Sequence, residues 1–335
     1  MVNLHSFKRT LFFLVFFHLV AVLHVQDAVL EQNLPDSLES PNELLIQDDF
    51  EGVDVLKTSV VSDEQNATEI CSISEEKIEE LARAKVLNEE NLYKYLAMNI
   101  EFSPVHKQAR WVGYFISRER LEGEHFKRTG IAFAEDEQIR CGSACDNDYK
   151  KSGYDRGHLA PARDMAFSKE TLTQSFLFSN ISPQKPKFNR GKWAELERFA
   201  REQAFKREKI IVITGPIFND DKCETIGKNK VSVPHTFFKA LLSYGRKRVE
   251  AIGFVMPNER LNEGLDAYAC SIDHMEEIAN IDVFPDLPDD IEDVVEAEYN
   301  WDFWFGDEEN EEEQKDYIKE DNKKEEHIEG VSDEE

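Results

Sequence analysis

Positive charge is scarce in this sequence: 40 Lys and Arg stand against 68 Asp and Glu in 335 residues, a formal net charge of −28. Taken whole, such a chain repels polyanions at long range, so any binding to one must rest on the local field of a cleft. Cysteine is also sparse. The five, Cys71, Cys141, Cys145, Cys223 and Cys270, leave at least one without an intramolecular partner. They lack a second ligand pair at zinc spacing, which excludes a structural zinc site. Only one long apolar run exists, "LFFLVFFHLVAVLHV" from Leu11 to Val25, and it is too short to read as a membrane span. No internal repeat is evident, which argues against a solenoid or propeller.

The charge that is present is unevenly placed. From Asp286 to Glu335 there are 23 acids against 4 lysines, and from Met1 to Ala97 there are 18 acids against 7 bases. The middle, Met98 to Pro285, has 27 acids and 29 bases, so an almost neutral body lies between acidic flanks. Lys8 and Arg9 precede the apolar run in the pattern of a signal peptide over residues 1–27. That leader predicts a secreted or lumenal protein with no stable membrane association after cleavage; an uncleaved anchor and a mitochondrial presequence are the alternatives. Entry to the secretory route would permit disulfides: "CGSAC" could close a local bridge, or Cys223 could pair with Cys270. Asn66-Ala-Thr68 would then be a glycosylation sequon.

Residues 28–89 read as an acidic, largely disordered lead-in with short helices, because the early part is poor in aromatics and lacks periodicity. Ser74 caps the helical pattern that runs on to Met98. Strands are predicted at Arg110–Ser117, Ser175–Ser182, Lys209–Phe218, Phe237–Tyr244 and Val249–Pro257, all rich in β-branched and aromatic residues. A helix is predicted over Asn189–Arg207, with Trp193, Leu196, Ala200 and Ala204 forming one apolar stripe. The fold class is therefore α+β, an antiparallel or mixed sheet with flanking helices, over residues 90–285. Residues 286–335 read as an acidic disordered tail containing an aromatic island, Tyr299–Gly306. A weak calcium buffer, or a polyanion mimic covering a site, are the functional alternatives for that tail.

Chemistry concentrates between Tyr154 and Glu197. "DRGH" supplies an acid, a guanidinium and an imidazole: Asp155, Arg156 and His158. An imidazole near its ordinary pKa of about 6.5 can accept a proton around neutrality, and Gly157 suggests a tight turn between the last two. Further on, "SNISPQKPKFNRGKW" brings Asn180, Gln184 and Asn189. Asn189, at a helix start with free N–H groups, can face phosphate and offer a neutral oxygen to a hard cation. Glu197 lies eight residues further on, about 12 Å along an ideal helix, which favours a water-mediated contact to any ion that Asn189 holds.

"YDRGHLAPARDM", "SNISPQ", "FNRGKWAELE", "VITGPIF" and "AIGFVMPNE" together resemble the DNA/RNA non-specific endonuclease family of ββα-metal, or His-Me finger, nucleases, which has mitochondrial and secreted members. The resemblance covers roughly residues 100–260. It implies a ββα-metal finger, His158 as general base and Asn189 as the single direct protein ligand of Mg2+, with Mn2+ as a substitute. Asp155, Arg156, Asn180, Gln184 and Glu197 would support substrate, metal waters or the histidine. It further implies hydrolysis of DNA and RNA through backbone phosphate contacts, 5′-phosphate ends, and a homodimer. A further upstream arginine is expected, with Arg128 and Arg110 both open as candidates. Arg163 stands where the family has a small residue. Asn180-Ile-Ser182 is formally a sequon and is expected to be unmodified. A catalytically weakened nucleic-acid-binding module is the alternative to the enzyme.

Overall fold

The computed structural model describes residues 74–218, 223–245 and 248–306. Its strands are β1 (Leu92–Lys94), β2 (Met98–Ser103), β3 (Gln108–Ser117), the short pair β4 (Asp155–His158) and β5 (Ile181–Gln184), β6 (Lys209–Ile217), a second short pair β7 (Thr225–Ile226) and β8 (Val231–Ser232), β9 (Thr236–Tyr244), β10 (Val249–Pro257) and β11 (Ala269–Cys270). Its α-helices are α1 (Glu75–Leu81), α2 (Arg118–Glu122), α3 (Asp146–Tyr149), α4 (Lys169–Ser175), α5 (Ala194–Arg207), α6 (Ile272–Ala279), α7 (Asp289–Val295) and α8 (Trp301–Phe305).

Seven strands form one antiparallel sheet in the order β1-β2-β3-β6-β9-β10-β11. Its central strands are apolar on both sides because both faces are covered. Val112, Tyr114, Val212, Phe237 and Leu241 pack on one face with α5, and the predicted stripe, Trp193 just before α5 with Leu196, Ala200 and Ala204 on it, is buried. Trp111, Phe115, Ile213 and Phe238 pack on the opposite face against α1, α6 and α7. A Cβ added at Gly253 would lie 3.0 Å from Met275 Cβ, so glycine is what lets α6 close on β10.

Several sequence expectations change here. The stretch Ser74–Met98 contains one α-helix and a 3-10 turn, Glu89–Asn91, before β1 and β2 begin; Ser74 does cap α1, accepting from the Lys77 amide. The apolar stretch Ser175–Ser182 is not a strand. It ends α4, passes through a 3-10 turn at Phe178–Asn180, and becomes extended only in β5. Residues 286–306 are not tail: α7 and α8 fold onto the domain, with Trp304 1% exposed and Phe305 stacked 5.2 Å from Phe199. The acidic composition hid these anchors. The leader, the Asn66 sequon, Cys71 and residues 307–335 lie outside the described residues. Cys141, Cys145, Cys223 and Cys270 are thiols, so neither predicted bridge forms. Among the described residues no helix is long and apolar enough to cross a membrane.

Candidate active site

β4 and β5 pair antiparallel, Asp155 opposite Gln184 and His158 opposite Ile181. The chain then turns into a π-helical segment, Phe188–Trp193, that leads into α5. Two strands and a helix thus form one small unit on the α5 face of the sheet.

Gly157 does not turn the chain; it lies within β4. A Cβ there would come 2.1 Å from Gln184 Oε1, so glycine is needed to let that carboxamide lie across the strand. Gln184 is wholly buried, and neither its Nε2 nor its Oε1 has a hydrogen-bond partner. A buried amide in that condition costs free energy and is a polar group held ready for something else.

His158 ends β4 between two aromatic rings, Phe176 edge-on at 4.8 Å and Phe133 at 5.5 Å. The residue is half-buried, yet its Nε2 is sealed and has no hydrogen-bond partner. Burial, with the Arg128 charge adding to it, pulls the imidazole down to about 3. The ring is therefore neutral across the physiological range.

Arg128 stands over the same two rings, 4.9 Å from Phe176 and 5.6 Å from Phe133. Of the two upstream arginines, Arg128 is the one beside the rings that flank His158. Arg110 is elsewhere, bonded to Glu101 at 3.0 Å and to the Asn280 carbonyl at 2.8 Å. Arg128 is already a candidate in the sequence; what the sequence does not show is that it reaches His158 through Phe133 and Phe176. Arg156 stacks 5.5 Å over Phe133 and pairs with Asp146 at 2.7 Å, while its Nε is buried without a partner.

Asn189 does not cap a helix. It sits inside the π turn, its backbone N–H bonded to Lys185 O at 2.9 Å, and Gly191 breaks the helical path with ψ −110°. The Asn189 Nδ2 donates to Asp155 Oδ2 at 3.0 Å, and Arg190 forks onto both Asp155 oxygens at 2.8 and 2.9 Å. Asp155 therefore ties the π turn to the strand that carries His158. Because an ionised carboxylate only accepts, Asn189 must present its nitrogen there and keep Oδ1 for another partner.

Asn180 is wholly buried. Its Oδ1 accepts from the Ala160 amide at 2.9 Å, and its Nδ2 donates to Ala160 O and Ser175 O at 2.9 and 2.8 Å. The side chain clamps the backbone just beyond His158, and its sequon nitrogen is out of reach of a glycan. Glu197 lies on α5 and acts on a charged group beneath it. Burial raises the Tyr114 phenol, with the Asp164 and Glu197 charges adding to it, and Glu197 opposes the burial that lowers Lys239 to about 8. Lys239 itself is wholly buried, 4.7 Å from the Trp193 ring. The same group holds Asp164, bonded to Arg201 at 3.2 Å, and Arg163 is buried one residue before it.

Comparison with known proteins identifies the family. A family model described as DNA/RNA non-specific endonuclease matches residues 83–290. Mitochondrial endonuclease G of Homo sapiens is 32% identical over 199 residues, covering 56% of this chain and 67% of that protein. The mitochondrial nuclease of Saccharomyces cerevisiae is 32% identical over 199 residues, 53% of this chain and 60% of its own length. A nuclease of Syncephalastrum racemosum is 34% identical over 200 residues, 53% and 62% respectively. The chain thus spans about two thirds or less of these relatives. A chain from the crystal structure of an EndoG/EndoGI complex superposes with a TM-score of 0.56 at 25% identity, covering 60% of this chain and 88% of that one. The family match spans more than half of the chain, and it falls on the sheet, the paired short strands and the π turn: the protein belongs to the DNA/RNA non-specific endonuclease family.

Proposed function

We propose that the chain is a magnesium-dependent endonuclease that hydrolyses phosphodiester bonds of DNA and RNA, with His158 as general base and Asn189 as the direct metal ligand. One observation carries the reading: a neutral, aromatic-walled imidazole shares a strand with Asp155, which holds the Asn189 nitrogen and leaves its oxygen for a cation. A lone neutral oxygen suits Mg2+, which keeps most of its waters and is satisfied by few protein ligands; Mn2+ is a reasonable substitute. When bound, the ion supplies positive charge to the phosphate and to the leaving oxygen.

The remaining work falls to the chain's own groups. His158 takes a proton from the attacking water. Arg128 and Arg156, braced on Phe133, offer positive charge where the phosphate gains negative charge. Asp155 orients Asn189, Asn180 fixes the backbone after His158, and Glu197 would face the waters of the ion rather than the ion itself. Gln184 is a polar contact for substrate or for those waters. In-line attack leaves a 5′-phosphate and a 3′-hydroxyl. Exposed Lys185 and Lys187 beside the π turn would meet backbone phosphates, contacts that would make cleavage indifferent to sugar and sequence. The mitochondrial names of the relatives support a mitochondrial destination in place of a secretory one; sequencing the amino terminus of the mature protein checks it.

The test is plasmid digestion by the purified chain with and without Mg2+, beside His158→Ala. Cleavage that requires the metal and falls by about a hundredfold to ten-thousandfold in the variant is expected. Binding without cleavage by the wild type would favour a nucleic-acid-binding module instead.

A further inference from the structure

On the face of the sheet opposite the finger, three carboxylates converge: Asp273 and Glu276 on α6, and Glu296 directly after α7. One oxygen from each lies within 4.8 Å of the others. Acidic groups gather on many surfaces without consequence, but Glu296 is different. It is 5% exposed, and its Oε1 is buried with no hydrogen-bond partner. The backbone brings it there, since the Asp273 amide donates to the Glu296 carbonyl at 3.1 Å. Glu276 is oriented too, its Oε1 accepting from the Val283 amide at 2.5 Å.

The leading charges acting on Glu276 and Glu296 are other carboxylates, Asp282 and Glu292 among them. Lys85 pairs with Asp282 at 3.0 Å, but out on the exposed rim. A buried carboxylate with an unpartnered oxygen is costly unless it takes up a proton or faces a cation. With Asp273 and Glu276 converging on the same point, a cation would neutralise all three groups at once.

We infer that Asp273, Glu276 and Glu296 form a second divalent-cation site, separate from the finger, that takes Ca2+. Three carboxylates with no nitrogen or sulfur donor among them suit a hard cation, and Ca2+ accepts such oxygens in flexible geometry where Mg2+ demands a near-ideal octahedron. The surrounding carboxylates and backbone carbonyls can add ligands to an ion that tolerates six to eight. The ion would fasten the end of α7 to α6, and so hold the segment that carries Trp304 back into the core.

Thermal unfolding of the full chain tests this without any nuclease readout. Millimolar Ca2+ added to metal-stripped wild type is expected to raise Tm by about 4–8 °C, and Mg2+ by less. Glu296→Gln keeps the shape but removes the charge, and should lose the Ca2+ shift while unfolding no earlier than stripped wild type. Asp273→Asn, at an exposed position, should weaken the shift without disturbing packing. The residues beyond Gly306 are the same in all three chains, so calcium held by that acidic segment cannot separate them. A wild type indifferent to Ca2+, or a Glu296→Gln chain that shifts as far as wild type, overturns the assignment.

Discussion

His158 shows how much a folded environment can change a residue whose role a motif suggests. In the sequence it is an imidazole near its ordinary pKa; in the fold, Phe176, Phe133 and Arg128 hold it at about 3. The acid limb of kcat/KM is therefore expected to lie well below pH 6, since neutral base persists there; an acid limb centred near 6.5 would contradict the aromatic enclosure. Stability has the same origin and a definite sign. The folded state binds the proton less tightly than the unfolded chain, so the His158 contribution is fully present above about 6.5 and is lost as pH falls from there toward about 3. Denaturant titrations across that window should show a shallower loss for His158→Ala. Asp155→Ala removes the acceptor that orients Asn189 and is expected to raise the half-saturating Mg2+ by about tenfold to a hundredfold, measured by rate against metal concentration. Asp155, His158 and Asn189 were named through the motifs that resemble the family, and the fold brings Asp155 and Asn189 into direct contact beside the strand that carries His158. The Phe133–Phe176 box and the unpartnered Gln184 amide were not legible, because both depend on contacts between distant segments.

At the level of elements, the long strands could be read directly. β3, β6, β9 and β10 are buried on both faces, and their near-continuous apolar runs have no other use. Ser175–Ser182 misled because a short apolar run does not distinguish a strand from a buried turn. The π turn at Phe188–Trp193 was not legible either: its departure sits at Gly191, in a stretch that otherwise reads as regular helix. Gly157 invited the wrong explanation, a turn, when the strand needs room for Gln184. Gly157→Ala should accordingly destabilise the β4–β5 pair by about 1–3 kcal/mol and lower Tm, with activity falling more than stability. A variant with unchanged Tm would mean that Gln184 moves aside at little cost.

Across the whole molecule, charge is partitioned. The overall net charge of −28 opposes nucleic acid, while Lys185, Lys187, Arg128 and Arg156 gather around the finger. Replacing Lys185 and Lys187 with alanine is expected to weaken binding to all sequences alike and to flatten the salt dependence, by about one unit of log–log slope for each phosphate no longer neutralised. The acidic residues 307–335 carry 15 acids and 4 lysines. If they compete with substrate, ending the chain at Gly306 should raise the low-salt rate, and an equal rate would dismiss that role. The cut must not fall earlier, because Trp304 belongs to the core. Composition alone drew that boundary too early, since two short acidic helices look like tail until their few aromatic anchors are placed.

The account depends most on Asn189 holding the cation beside a neutral His158. Plasmid cleavage against Mg2+ concentration, wild type beside Asn189→Ala, measures this directly. The variant should need at least about tenfold more Mg2+ for half its maximal rate, with a lower plateau. Superimposable Mg2+ curves would contradict the account.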